Sequence, residues 1–171
     1  ELLISYASMG SDDMADGAAS NRAIAYVRVS TTRQVEEGNS IASQSVRIQK
    51  YAKDKGLRLM SRDIIIDEGV SGGVLFDQRS GGELVMKRVE SGKFGHLIAL
   101  KLDRMSRDQI DAVQTIDLLD DEGISVHFVD WFGSSLDTRS PVGRFMLQLV
   151  AALAEMERGL ISERTRDGME Y

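Results

Sequence analysis

The sequence predicts an α/β fold: a mainly parallel sheet of four to five strands, covered by helices and followed by a long C-terminal helix. Two observations lead to this prediction. Four short runs of apolar residues alternate with segments of helical periodicity, which is the pattern of parallel strands joined by crossover helices. The last segment then carries a continuous apolar repeat at helical spacing, without an internal proline that would divide it.

The first half of the alternation begins at Ala23–Val29, an apolar run that predicts a strand. Residues 40–55 place their apolar side chains on one helical face and end at Gly56, so they predict a helix. Residues 57–66 predict the second strand, which closes with three consecutive isoleucines.

The segment 67–82 contains five glycines and predicts a long loop. The alternation then resumes, because apolar runs and helical periods follow one another and glycines end the helices. We expect a helix over 83–91, a strand over 97–100, a helix over 109–121 and a strand over 124–129. Ligand sites in such folds lie beyond the carboxyl ends of the strands, so the residues there are the candidates for chemistry.

The C-terminal segment predicts a helix from Pro141 to about residue 168, since Ser140 is a good N-cap and proline suits the first helical position. Its apolar residues are four and three positions apart in turn, a heptad pattern that predicts an oligomerisation helix. The alternative is a helix that lies along its own sheet. The apolar stripe consists of Val142, Met146, Leu149, Leu153, Met156 and Leu160.

These patterns divide the chain into a disordered or appended tail (1–21), a core (22–138) and the long helix (139–171). The tail carries four acidic residues and no lysine or arginine, so 23 of the 27 acidic residues remain against 21 basic ones. This near balance does not exclude nucleic acid, because local clustering sets phosphate contacts. Arginine outnumbers lysine by 15 to 6, and arginine suits bidentate phosphate recognition.

The composition excludes several classes of site. Without cysteine the chain has no disulfide scaffold, thiolate zinc site or cysteine nucleophile. It has only two histidines, and we expect neither a metal nor another cofactor. No apolar run is long enough to span a bilayer and the N-terminus lacks the features of a secretory signal, so we expect a cytoplasmic protein.

The first candidate residues lie at the end of the first strand. Side chains alternate along a strand, so Tyr26, Arg28 and Ser30 share one face and combine a phenol, a guanidinium and a hydroxyl. An arginine on the buried face of a strand is costly unless an anion meets it. The alternative is that Ser30 only caps a turn and Arg28 pairs with a local acid.

A second group follows the third strand, where Lys101, Arg104 and Arg107 place three cations at the same expected edge. Asp103 is suited to orient a guanidinium or exchange a proton, although a solvated turn with Asp103 as helix N-cap is the alternative. Arg79 in the glycine-rich segment is a further cation. A hydroxyl among several arginines, without a nearby histidine base, suits attack on a phosphodiester better than acyl transfer.

These residues stand in five ordered motifs that resemble the catalytic domain of the serine recombinases, the family of resolvases, invertases and large serine integrases. The resemblance covers about residues 23–169. Its most specific motif is KLDRMSR at 101–107; the others are YVRVS at 26–30, SIASQ at 40–44, DEGVSG at 67–72 with Arg79, and EMER with ISERT within 155–165.

The resemblance implies that Ser30 attacks a DNA phosphodiester and forms a 5′-phosphoserine link, followed by strand exchange and religation without ATP. Four arginines would bind the scissile phosphate, with Asp103 orienting them or passing a proton and Gln44 supporting the site. Arg88, Lys101 and Arg164 are expected to be further contacts to double-stranded DNA. The four arginines are Arg28, Arg79, Arg104 and Arg107.

The resemblance also implies a dimer on each DNA site and a tetramer in the active complex. The family's DNA-binding region would lie beyond Tyr171, so a catalytic and oligomerisation fragment is expected. Two departures stand out: Ser80 follows Arg79 where many relatives have proline, and Arg88 occupies the place of a lysine. The alternatives are a transposase with the same serine chemistry and a non-catalytic dimerisation module on a flavodoxin-like fold.

Overall fold

A computed structural model describes residues 20–29 and 40–169, with side chains up to residue 160. Its five strands are β1 (Arg22–Val29), β2 (Arg58–Glu68), β3 (His96–Ala99), β4 (Ser125–Trp131) and β5 (Ser134–Asp137). They form one sheet in the order β2-β1-β3-β4-β5, in which β5 alone is antiparallel to its neighbour. The predicted mainly parallel α/β sheet is therefore confirmed.

Five α-helices lie in the described part of the chain. They are α1 (Ile41–Asp54), α2 (Ser80–Glu90), α3 (Leu102–Met105), α4 (Gln109–Asp121) and α5 (Pro141–Met169), and a 3-10 turn covers Phe76–Gln78. The long C-terminal helix is present as predicted, and the sheet has the upper number of strands predicted. The positions of β5 and α3 were not predicted from the sequence. None of the described helices combines the length and apolar character that crossing a membrane requires.

The central strand β1 is buried along almost its whole length and sends alternate side chains to opposite faces. Ile24 and Tyr26 join the larger apolar cluster, which includes side chains of α2, α4 and α5. Ala23, Ala25 and Val27 join a smaller cluster with α1 on the other face. The sheet is thus covered on both sides, as its parallel topology requires.

The carboxyl ends of β1 to β4 meet at one edge of the sheet, because these four strands are parallel. Val29 at the end of β1 is in register with Glu68 at the end of β2, and Tyr26 is in register with Ala99 at the end of β3. The segments that follow these strands, where the candidate residues stand, are therefore neighbours in space.

The glycine-rich segment 67–82 is less of a loop than predicted, since β2 continues to Glu68 and α2 already begins at Ser80. Gly81 and Gly82 lie in the first turn of α2, and there is no space for a side chain at either position. A Cβ atom on Gly82 would lie 1.7 Å from the carbonyl oxygen of Phe76. Close packing thus overrides the poor helix propensity of two glycines.

Helix α5 packs against the body through Leu147 and Ala154, each only 7% exposed. Met146 is partly buried against the larger core cluster, and its place in the apolar stripe stays a prediction. The neighbouring Phe145 is 60% exposed. The remaining stripe residues are between 44% and 63% exposed: Val142, Leu149, Leu153, Met156 and Leu160.

Candidate active site

Three arginines from three different segments meet at the carboxyl edge of the sheet. Arg28 is the penultimate residue of β1, Arg79 precedes α2 and Arg104 lies in α3. Their exposed fractions are only 2%, 2% and 4%. A buried guanidinium is costly unless its N–H groups are bonded. The backbone around these arginines supplies most of the acceptors.

Arg28 and Arg104 bond to each other's backbone. Nε of Arg28 donates to the carbonyl oxygen of Arg104 at 3.1 Å, and Nη1 of Arg104 donates to that of Arg28 at 3.3 Å. Nη1 of Arg79 donates to the same Arg104 carbonyl oxygen at 3.3 Å. One peptide group of α3 therefore gathers two further guanidinium groups around it.

The segment between β2 and α2 wraps around these side chains. Arg28 donates to the carbonyl oxygen of Val70 at 2.9 Å, and Arg79 donates to those of Val74 and Gly72 at distances between 2.6 and 3.2 Å. Gly72 is required here, because a Cβ atom would lie 2.7 Å from Cγ of Arg107. The arginines thus order the segment that covers them.

Gln44 of α1 reaches the site from the other side of β1. This fully buried side chain donates from Nε2 to the carbonyl oxygen of Arg28 at 3.3 Å. That carbonyl group, which Arg104 also contacts, belongs to the residue two positions before Ser30. The strand that leads to Ser30 is therefore held from two sides.

Tyr26 and Asp67 complete the buried network, and neither was among the predicted catalytic residues. The Tyr26 hydroxyl donates to Oδ2 of Asp67 at 2.7 Å and accepts from Nη1 of Arg79 at 3.2 Å, while Oδ1 of Asp67 accepts from the Gly81 N–H at 2.8 Å. Burial, followed by the bond to Asp67, raises the pKa of Tyr26 far above its ordinary value. Tyr26 therefore remains a neutral donor.

The site has an excess of positive charge. Burial lowers the pKa of Arg28, and the neighbouring guanidinium groups of Arg79 and Arg104 lower it further. Within the described residues, Arg28 and Arg79 bond only to backbone carbonyl groups and the Tyr26 hydroxyl, and no carboxylate pairs with either. An anion placed beside them would relieve this repulsion.

Asp103 and Arg107 flank the buried group at the surface. Asp103 is half-exposed, and its Oδ2 lies 3.4 Å from Nη2 of Arg104, which suits the predicted orienting role. Arg107 is exposed; its backbone N–H donates to the Gly72 carbonyl oxygen at 3.0 Å, and its side chain passes over Gly72. Six of the seven predicted catalytic residues therefore contact one another directly or through one shared carbonyl group: Arg28, Gln44, Arg79, Asp103, Arg104 and Arg107.

Comparison with known proteins gives the family. The chain matches the model of the resolvase N-terminal domain over residues 23–171. It belongs to the resolvase family of serine recombinases. Serine recombinase PinR of Escherichia coli K12 is 32% identical over 149 residues, which cover 87% of this chain and 69% of that protein. The DNA-invertase of Escherichia phage P1 is 34% identical over 147 residues, covering 86% and 68% of the two chains.

Solved serine recombinase structures share the fold. The N-terminal catalytic domain of TP901-1 integrase is 34% identical and superposes with a TM-score of 0.70, covering 81% of this chain and 98% of that one. A resolvase family site-specific recombinase from Streptococcus pneumoniae is 26% identical, with a TM-score of 0.65 and coverages of 86% and 95%. The family and the catalytic-domain fold inferred from the motifs are confirmed.

The structure describes the side chain of only one of three further residues that the motifs suggested for this serine recombinase domain. Ser30 lies outside the described residues, and the side chain of Arg164 does too. Lys101 is half-exposed at the same edge, where its Nζ lies 3.4 Å from Oδ2 of Asp130. DNA contact by Lys101 and Arg164 stays a prediction.

Arg88 forms an ion pair within the domain. Its Nη1 donates to Oδ1 of the buried Asp63 at 2.5 Å, and its Nη2 donates to the Arg62 carbonyl oxygen at 2.9 Å. Asp63 lies in the irregular part of β2, where Arg22 at the start of β1 also approaches it. Arg88 thus neutralises a buried acid away from the site, and DNA contact by Arg88 stays a prediction.

Proposed function

We propose that this chain is the catalytic domain of a site-specific DNA recombinase that cuts DNA with the Ser30 hydroxyl. The Ser30 Oγ–phosphorus bond forms and the phosphorus–O3′ bond breaks, so the phosphate joins Ser30 to the new 5′ end of the DNA and the other end carries a free 3′-hydroxyl. Ser30 loses a proton and the O3′ leaving group gains one. Reversal of this step on a new partner strand rejoins the DNA, and the energy stored in the phosphoserine bond makes ATP unnecessary.

The observation that carries this proposal is the group of buried arginines at the end of the strand that runs into Ser30. A phosphodiester gains negative charge on its equatorial oxygens as the nucleophile attacks, and fixed guanidinium groups stabilise that charge. We assign Arg28, Arg79, Arg104 and Arg107 to this role, with Asp103 orienting Arg104. A non-catalytic dimerisation module would have no use for such a costly buried charge.

We further propose double-stranded DNA as the substrate and self-association through α5. The exposed stripe on α5 supports this, since its spacing of three and four residues suits a helix–helix interface. A dimer on each site and a tetramer during exchange would bring four serines to the cut strands. The same chemistry serves integration, inversion, resolution and transposition.

The covalent adduct tests the chemistry even when the target DNA site has not been identified. Cells that make the protein are lysed in denaturant, and the DNA ends attached to the protein are recovered and sequenced. We expect attachment through 5′ ends and a phosphorylated Ser30 peptide in mass spectrometry. Ser30→Ala abolishes the adduct, whereas Thr31→Ala, which removes the next hydroxyl, preserves it. An adduct that persists in Ser30→Ala contradicts the proposal.

A further inference from the structure

The far part of α5 bonds to the body of the domain through one ion pair in the described residues. Nη2 of Arg158 lies 2.8 Å from Oδ2 and 3.1 Å from Oδ1 of Asp108. Arg158 stands four positions beyond Ala154, the last buried side chain of the helix up to residue 160. The pair therefore fixes a stretch of helix whose other side chains, from 155 to 160, are exposed.

Asp108 has a second role at the start of α4. Its Oδ1 accepts hydrogen bonds from the N–H groups of Ile110 at 2.8 Å and Asp111 at 3.2 Å, which makes it the N-cap of that helix. Its own N–H donates to Oγ of Ser106 at 3.1 Å. Asp108 thus joins α5 and α4 through its carboxylate, and the turn that precedes α4 through its backbone N–H.

That turn carries Arg107. The Arg107 N–H donates to the carbonyl oxygen of Gly72 at 3.0 Å, and the same oxygen accepts a hydrogen bond from Nη2 of Arg79 at 3.2 Å. A continuous chain of bonds therefore runs from Arg158 through Asp108 and the Arg107 backbone to the buried arginines. The orientation of α5 and the position of Arg107 are physically connected.

We propose that Arg158 is a positioning residue: through Asp108 it holds Arg107 over Gly72 and so couples the self-association helix to the cleavage site. This inference rests on the proposed function. Arg158 lies about 200° around the helix from Met156 of the exposed stripe, so the two occupy opposite faces. A second copy of the chain on the stripe leaves the ion pair intact and steadies the helix that carries it.

The Arg158–Asp108 pair is expected to position the turn before α4 and to contribute little to the folding stability of the domain. Both side chains are about half-exposed, at 58% and 47%, and exposed ion pairs contribute little to folding. Its removal is expected to loosen the 106–108 turn locally. This distinguishes the proposal from a structural role, in which all amides of the domain would respond together.

Hydrogen exchange at the Arg107 amide, measured by NMR on the chain itself, tests the coupling without DNA. Asp108→Asn suits the purpose because asparagine caps helices as well as aspartate does but carries no charge. We expect Arg158→Gln and Asp108→Asn each to accelerate exchange of this amide by about two- to fivefold. The Gly81 amide, which bonds to Asp67, serves as the internal reference and stays unchanged.

Matched variants identify the route. The double variant is expected to exchange no faster than either single variant, Arg158→Lys to retain most of the protection, and Arg144→Gln, an exposed arginine of the same helix, to have no effect. Unchanged exchange at Arg107 in Arg158→Gln, or additive effects in the double variant, would overturn the proposal.

Adduct formation supplies the functional measurement. Arg158→Gln and Asp108→Asn are both expected to slow it while DNA affinity stays the same. If Arg158→Gln alone weakens DNA binding, Arg158 acts on DNA directly and the positioning role is wrong. If the unaltered protein forms no adduct, the proposed function fails, while the exchange experiment still decides whether α5 and Arg107 are coupled.

Discussion

Arg28 and Arg104 are 76 positions apart in the chain and hold each other in place, because the guanidinium group of each donates to the carbonyl oxygen of the other. The contact joins the end of β1 to α3. Neither side chain can leave without breaking a bond to the other's backbone. The cations that we propose to bind phosphate are therefore fixed before any ligand arrives, which is the arrangement that electrostatic catalysis requires.

Arg28→Lys tests this arrangement. Lysine keeps the charge but cannot bond simultaneously to the carbonyl groups of Arg104, Val70 and Asp103, as Arg28 does. We expect a loss of about 1–3 kcal/mol in unfolding free energy and no detectable DNA adduct. Arg47 is an exposed arginine that pairs with Asp130. Arg47→Lys is therefore the control, and it should leave the unfolding free energy and adduct formation nearly unchanged. Full adduct formation by Arg28→Lys would contradict the assignment.

Tyr26→Phe separates the phenol hydroxyl from the ring. The ring contact with Phe76 is kept, while Asp67 and Arg79 each lose a partner. We expect about 1–2 kcal/mol of destabilisation in urea unfolding together with slower adduct formation. Tyr51→Phe, which removes a buried hydroxyl on the opposite face of the sheet, should cost stability without slowing the adduct. Equal adduct rates for the two variants would remove Tyr26 from the site.

Gly81→Ala is expected to disturb the carboxylate that Tyr26 contacts. The added Cβ atom would lie 2.7 Å from Cγ of Asp67, so α2 or Asp67 must shift. We expect a lower thermal midpoint, corresponding to about 1–3 kcal/mol. Gly159→Ala in α5 has no atom within 4 Å of the new methyl group and should be neutral or stabilising. Similar midpoints for both variants would show that the close approach is unimportant.

The domain also contains a largely buried chain of titratable groups away from the site. The Tyr51 hydroxyl lies 3.1 Å from Nδ1 of His127, and Nε2 of His127 lies 2.9 Å from Nδ1 of His96. Burial lowers the pKa of His127 to about 4 and outweighs the opposing effect of the Asp137 carboxylate. Burial also lowers the pKa of His96. Both rings are therefore neutral in the folded domain at pH 7.

Acid should consequently destabilise the fold. Below pH 6.5 His127 is protonated in the unfolded state, whereas in the folded state it stays neutral until about pH 4. The free energy of unfolding therefore falls as the pH decreases through this range. His127 accounts for at most about 3 kcal/mol of this loss. Urea unfolding at pH 7.5 and pH 5 measures it, and His127→Gln should reduce the difference. An identical difference in the variant would show that His127 does not cause it.

Leu153→Lys tests self-association through α5. Leu153 is 46% exposed, so a lysine there leaves the monomer intact but places a charge within the proposed interface. We expect the dissociation constant measured by analytical ultracentrifugation to rise by about tenfold or more. Gln148→Lys adds the same charge to another exposed face of the helix and should have little effect. Equal weakening by both variants would indicate a general charge effect and not an interface at the stripe.

The sequence predicts best those elements whose ends carry their own signals. The bounds of α4 agree with the prediction because Asp108 caps one end and Gly123, with a positive φ of 77°, closes the other. The cations at the sheet edge were found because they cluster in short motifs. α3 and β5 are only four residues long, too short for any periodic pattern.

The remaining differences depend on tertiary contacts. Asp67 stands in the DEGVSG motif, but nothing in the sequence pairs it with Tyr26, and only the fold brings the two side chains together. Met146 and Phe145 are adjacent in sequence, and a heptad pattern cannot tell which of them turns towards the core. The sequence places Arg88 only where relatives have a lysine, and the fold alone shows that it pairs with the buried Asp63.

A crystal structure of the protein bound to cleaved DNA tests the central claim most directly. We expect the phosphate to be bonded to Ser30 Oγ, with its free oxygens within hydrogen-bonding distance of the Arg28, Arg79 or Arg104 guanidinium groups, about 2.7–3.2 Å. A phosphate carried by another residue, or a Ser30 on the face of the sheet opposite to these arginines, would contradict it.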